Sequence, residues 1–120
     1  MKNLFEVTGK VVVVTGATGI LAGGTATYLQ EQGAKVVYEG RNQKKVDAVM
    51  EEARKISDHC LGVTTDVLDE DGLNAGYEKV INQFGRVDAL INGAGGNMPG
   101  ATIGPDKEIF DLDIEDYSRV

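Results

Sequence analysis

Two apolar rhythms alternate along the chain. Val11-Val12-Val13-Val14 is an unbroken β-branched run between a Thr-Gly-Lys turn and Thr15-Gly16, the pattern of a strand covered on both faces. Beyond the glycines the spacing lengthens. Leu21, Thr25, Tyr28, Leu29 and Gln32 share a helical face of mixed quality, and Gly33 stands where a helix-ending glycine belongs, so a helix is predicted over about 20–32. Residues 35–39 (KVVYE) read as a second strand. Val46, Val49, Met50 and Ala53 then fall at i, i+3, i+4 and i+7, the spacing of one buried helical stripe. A third strand is predicted over 60–64. Asp69 can cap a third helix, Leu73, Tyr77, Val80, Ile81 and Phe84 line its face, and Gly85 stops it. Residues 87–91 (VDALI) make a fourth strand.

Short strands alternating with helices of this length imply right-handed crossovers and a parallel sheet. The expected architecture is α/β: a three-layer, Rossmann-like partial fold of about four parallel strands in the order 3-2-1-4, with helices on both faces. Length sets the word partial. A βαβ unit needs about 30 residues, so 120 residues hold about four strand-plus-helix units and not the six strands of a full two-half dinucleotide sheet. Residues 1–120 are therefore read as one incomplete domain, truncated before its second half. After strand four comes a Gly-rich loop, NGAGGNMPGATIGPD, and then IFDLDIEDYSRV, which predicts a helix beginning near Asp113.

Composition removes several alternatives. Sixteen glycines without a Gly-x-y period, and only two prolines, exclude collagen and Pro-rich disorder. A formal charge of -7, from 19 acids against 12 bases, argues against binding a nucleic-acid backbone, which draws on clustered Lys and Arg. Residues 105–120 hold six of those acids and two bases, and read as a solvated segment. One cysteine cannot form an internal disulfide, and the N-terminal MKNLFEVTGK lacks the apolar stretch of a signal peptide, so a cytoplasmic location is expected. The longest aliphatic run, Val11 to Val14, is far short of the roughly 20 residues of a membrane span.

Candidate chemistry sits at the strand ends. Thr15 to Gly24, TGATGILAGG, lies between a predicted strand and a predicted helix. There glycines let the backbone approach a pyrophosphate, and the helix start offers free N–H groups and a positive dipole end. A tight β-α turn without a ligand is the plainer alternative. No Gly-Lys-Ser or Gly-Lys-Thr follows, which excludes a Walker A loop. Roughly 20 residues beyond the first glycine, a dinucleotide fold places the group that reads the ribose 2′ position. The candidates are Glu39, Gly40 and Arg41. Arg41, just past the sheet, can face a 2′-phosphate while Glu39 points elsewhere, which favours NADP over NAD.

At these positions the chain resembles the short-chain dehydrogenase/reductase family, along essentially its whole length. TGATGILAG looks like that family's cofactor loop, Asp66-Val67 after strand three like its adenine-contacting pair, and Asn92-Gly93-Ala94-Gly95 after strand four like its Asn-x-Ala-Gly element. Finer still, INGAGGNMPGAT followed by FDLD is similar to the subgroup of D-mannonate oxidoreductases, or fructuronate reductases. The resemblance implies a nicotinamide cofactor, NADP or NAD, held by Gly16, Thr18, Gly19, Ile20, Leu21, Arg41, Asp66, Val67, Asn92, Gly93 and Ala94. It also implies an oxidoreductase, with a sugar acid such as D-fructuronate or D-mannonate as substrate of the full-length protein.

Two departures stand out. Ala22 and the compressed Gly16/Gly19 spacing replace the common T-G-x-x-x-G-x-G. More consequential, the family's catalytic Tyr-x-x-x-Lys is absent: four residues after Tyr28, Tyr38 and Tyr77 stand Gln32, Asn42 and Ile81, and Tyr117 has no residue four ahead. Hydride transfer to a carbonyl must be matched by a proton, so no catalytic residue is assigned and the 120-residue chain alone is expected to be inactive. His59 and Cys60 lack the further ligands of a metal or nucleophile site and are read as structural. A non-catalytic, cofactor-binding or self-associating module and a truncation product remain the alternatives. With strand four as a sheet edge beside apolar helix faces, self-association is expected.

Overall fold

The computed structural model describes residues 3–120. Met1 and Lys2, the first two residues of the N-terminal stretch read above for a signal peptide, lie outside the described residues. Four parallel strands, β1 (Val11–Thr15), β2 (Lys35–Gly40), β3 (Cys60–Thr64) and β4 (Ala89–Asn92), form one sheet in the order β3-β2-β1-β4. The connecting helices are α1 (Ile20–Glu31), α2 (Gln43–Ile56) and α3 (Glu70–Phe84), and a short α4 (Ile114–Arg119) follows the Gly-rich loop. In register, Val14 stands beside Tyr38 on β2 and beside Ile91 on β4, and Thr15 beside Asn92.

Alternation along each strand separates two cores. Val12, Val14, Val36 and Tyr38 face α1 and α2, packing on Ala22, Ala26, Val46, Met50 and Ala53. Val11, Val37 and Val63 face the other way, onto Val80 and Phe84 of α3. That split is the three-layer arrangement the alternating pattern predicts. Asp69 caps α3 by accepting from the Gly72 N–H at 3.1 Å, and Gly85 ends it in the left-handed region with φ +78°.

Helix α1 does not use the face expected for it. Leu21 and Tyr28 are exposed, whereas Ala22, Ala26 and Gln30 are buried and only Leu29 of the expected set packs partly against the core. Small side chains win because the helix packs closely on the strands and on the loops at their ends: Ala22 and Ala26 lie in one cluster with Val12, Val14, Val36 and Tyr38, and a methyl at Gly23 would come within 2.8 Å of the carbonyl oxygen of Ala17 in the loop after β1. Gln30 is tolerated there because every polar atom of its amide is paired. The Tyr38 hydroxyl donates to Gln30 Oε1 at 2.7 Å, and Gln30 Nε2 donates to the Ala53 carbonyl and to Ser57 Oγ, both at 2.9 Å. The cluster joins α1, β2 and the end of α2. Cys60 beside it is buried, and burial pushes its thiol up, away from the reactive thiolate.

Strand β4 begins two residues later than expected. Asp88 supplies the reason, since its Oδ2 accepts the Val11 N–H at 2.8 Å while its own N–H donates to the Val11 carbonyl at 2.9 Å. A side chain thus replaces the ladder at that end. The acidic stretch 105–120 is largely exposed, as a solvated segment should be, with α4 capped by Asp113. No helix among the described residues is long and apolar enough to cross a membrane.

Candidate functional site

All of the sequence-derived candidates lie at the carboxyl ends of the parallel strands. From β1 the chain steps outward to β2 and β3 on one side, then returns through α3 to place β4 on the other side of β1, which makes the crevice between β1 and β4 the point where strand order reverses. Open α/β sheets bind ligands at such a point. Gly16 follows β1 directly, and Gly93 follows β4.

These two loops touch through backbone. Gly16 has φ +66°, and a Cβ there would lie 2.6 Å from the Gly93 carbonyl oxygen and 2.7 Å from the Ala94 nitrogen. A Cβ on Gly93 would lie 2.6 Å from the Thr15 carbonyl oxygen and 2.5 Å from Ala22 Cβ. Thr15, a residue the sequence reading passed over, fastens the pair: its Oγ1 accepts from the Gly93 and Ala94 N–H groups, each at 3.1 Å. The Ala22 departure also acquires a partner. The methyl that replaces a glycine in α1 fits because residue 93 is itself a glycine.

Helix α1 starts at this crevice without a side-chain cap on Gly19. Its first-turn N–H groups therefore have no partner inside the helix, at the end where the helix dipole favours negative charge. Ile20 and Leu21 are almost fully exposed beside them. Thr18 sits against the end of β2, where a Cβ on Gly40 would come within 2.8 Å of its methyl. Arg41 is exposed immediately beyond Gly40, and its guanidinium makes no ion pair among the described residues. Asp66 follows β3 and forms a turn, with Oδ1 accepting the Leu68 N–H at 3.0 Å, while Val67 is partly open.

Glu39 is the exception to this gathering. It lies on the α3 face of the sheet with Val37, is 4% exposed, and its Oε2 has no hydrogen-bond partner among the described residues. Burial, with a smaller contribution from the Asp66 charge, pushes its carboxyl above the usual range. A carboxyl whose pKa is higher folded than unfolded stabilises the fold fully at low pH and loses that contribution as pH rises through the folded value. Glu39→Gln is therefore expected to leave thermal stability at pH 4 nearly unchanged and to raise it at pH 8, by about 1 to 3 kcal/mol. Melting curves across that range check it, and equal effects at both ends would contradict an orphaned carboxylate.

A protein-family model described as short chain dehydrogenase matches residues 10–120. Among curated proteins, the chain is 37% identical over 120 aligned residues to the oxidoreductase UxuB of Bacillus subtilis (strain 168), itself uncharacterized, covering 93% of this chain and 43% of that one. It is 32% identical to a 2-dehydro-3-deoxy-D-gluconate 5-dehydrogenase of Formosa agariphila, over 93% of this chain and 44% of the relative. Among solved structures it superposes with a TM-score of 0.80, at 28% identity, on a Haemophilus influenza protein provisionally assigned as a D-mannonate oxidoreductase and solved with bound NAD. That match covers 96% of this chain and 45% of the other. The chain thus spans less than half the length of these relatives.

Proposed function

The chain belongs to the short-chain dehydrogenase family, and from that premise we propose that its carboxyl edge is the adenosine and diphosphate side of a nicotinamide dinucleotide site, with NADP favoured over NAD. One observation carries the reading: the Gly16 and Gly93 backbones meet with no room for a side chain, beside a helix start whose N–H groups are free. A diphosphate needs that combination, close main-chain approach and unpaired donors together. Gly19, Ile20 and Leu21 border the diphosphate, Thr18 shapes its wall, and Asn92, Gly93 and Ala94 line the riboses. Asp66 has a second carboxylate oxygen for the adenine amino group, and Val67 flanks the ring.

When bound, such a cofactor supplies hydride to or from a carbonyl carbon. Within residues 1–120 no tyrosine has a lysine four residues on, so this chain binds and orients, and the proton donor belongs to a longer polypeptide of the relatives' kind. A sugar acid is the substrate class of that whole protein, on the strength of the Formosa and Haemophilus relatives, and the cytoplasm its place of work. Leu90 on the β4 edge is 56% exposed, which supports association of the chain with itself. Light scattering at high concentration should show a species above monomer mass, and a clean monomer would count against that part.

Cofactor preference is checked at Arg41. The wild-type chain should bind NADP at least about tenfold more tightly than NAD by calorimetry. Arg41→Ala should weaken NADP by about 10- to 100-fold, the loss of charged hydrogen bonds worth about 1.5 to 3 kcal/mol, and leave NAD within about threefold. Equal affinity of the wild type for both cofactors, or an unchanged ratio in the variant, would remove Arg41 from the site.

A further inference from the structure

At the end of the sheet opposite β4, the outer edge of β3 lines a polar groove of about 350 Å³. It stays an edge in a complete fold, because the doubly wound order 3-2-1-4-5-6 adds further strands beyond β4. Register fixes which groups face outward. The Val36 N–H donates to the His59 carbonyl at 3.1 Å and the Thr65 N–H to the Gly40 carbonyl at 3.0 Å. Residues 59, 61, 63 and 65 therefore turn their backbone groups to β2, and Cys60, Gly62 and Thr64 turn theirs outward. At this edge the Cys60 carbonyl accepts from the Gln83 amide at 3.3 Å, on one of its two lone pairs. The strand, CLGVT, holds no lysine or proline of the kind that blunts a sheet edge.

Helix α2 walls the groove with Gln43, Asp47, Met50 and Arg54, and Asp58 follows it. A Cβ on Gly62 would lie 2.7 Å from Met50 Cγ, so the middle of β3 stands level with Met50. Asp47 comes three residues before Met50 and Arg54 four after it, about 4.5 and 6 Å to either side along the helix. Both are exposed, and neither forms an ion pair among the described residues. We propose that this edge pairs with the same edge of a second copy of the chain, antiparallel about a two-fold axis at Gly62, joining two four-stranded sheets into one. Charge complementarity selects that occupant. A half-turn about an axis normal to the sheet keeps α2 on its face and reverses its direction, so Asp47 comes opposite Arg54 of the second copy, twice, and Gln43 opposite its Asp58. Helix α2 packs over β2 and β3, and strands lie about 4.8 Å apart. The two copies of α2 then come about 10 Å apart, the spacing of packed helices. A strand of unrelated sequence would gain the backbone bonds without the matched charges.

The test uses the 120-residue chain carrying Leu90→Lys, which charges the β4 edge and separates this contact from association there. A five-residue strand and one helix flank make a smaller contact than the ~1,600 Å² of a standard interface. Sedimentation equilibrium should accordingly show a monomer–dimer equilibrium with a Kd of about 10 to 500 μM. Asp47→Arg and Arg54→Asp should each weaken it at least about tenfold, since each sets like charges across the axis twice. Mixed one to one, the two variants should associate with each other about as tightly as the parent, because both pairings are then opposite in charge. Amide exchange at Gly62 and Thr64 should slow as concentration rises. A chain that stays monomeric at about 1 mM, a mixture that associates no more tightly than the separate variants, or exchange that slows at residues 89–92 in place of Gly62 and Thr64 would each overturn the proposal.

Discussion

Gly16→Ala is expected to lower the free energy of unfolding by about 2 to 5 kcal/mol, read as a fall in denaturant midpoint at constant slope. Two costs add. A side chain at φ +66° forces a left-handed conformation worth about 1 to 2 kcal/mol against an L residue. The new methyl also meets the Gly93 carbonyl at 2.6 Å, and overpacking costs typically about 1 to 3 kcal/mol. Backbone cannot rotate aside as a flexible side chain would. Gly93→Ala should be nearly as damaging, since its methyl meets both the Thr15 carbonyl and Ala22. Adding Ala22→Gly should recover part of that loss by relieving one of the two clashes. Gly95→Ala and Gly96→Ala, with nothing within 4 Å and no positive φ, should stay within about 0.5 kcal/mol of wild type. If all four glycines behaved alike, the proposed contact between the loops after β1 and β4 would be wrong.

Gln30→Leu should cost about 1 to 3 kcal/mol although it conserves volume and increases hydrophobicity. The leucine strands the Tyr38 hydroxyl in a site where Tyr38 has no solvent exposure, at about 1 to 3 kcal/mol for an unsatisfied group, while the Ala53 carbonyl loses the Gln30 amide but keeps the Ser57 N–H. Tyr38→Phe alone leaves only Gln30 Oε1 unpaired and should cost less. The informative measurement is the double variant. With both ends of the hydrogen bond apolar, its loss should be smaller than the sum of the singles by about 1 kcal/mol or more. Strict additivity would show that the two side chains do not depend on each other.

The sheet was legible because the parallel strands carry unbroken apolar runs and the glycines mark their ends. Val11 to Val14 could be little else, and the stripe Val46, Val49, Met50 and Ala53 fixed α2. Helix α1 was misread for a definite reason. Periodicity weights large apolar residues, whereas a helix lying this close to a sheet buries alanines and sends Leu21 and Tyr28 outward. The glycine positions of the site were readable, yet the contact of Gly16 with Gly93 was not, because it joins residues 77 apart that meet only when β4 pairs with β1. Thr15 was missed because a threonine ending a valine strand carries no local sign of its two long-range hydrogen bonds. Glu39 was placed away from the ribose by its position, and the alternation of the strand, facing it with Val37, explains why.

The order β3-β2-β1-β4 also sets a timetable for synthesis. The first strand made is an interior one, flanked on one side by β2 soon after it and on the other by β4 much later. Val11 and Asp88, which close that second side, are 77 residues apart. At about 5 to 20 residues per second of translation, four consecutive valines wait roughly 4 to 15 s for their second neighbour. During that interval the nascent chain carries an open β-branched edge of the kind that pairs with other chains.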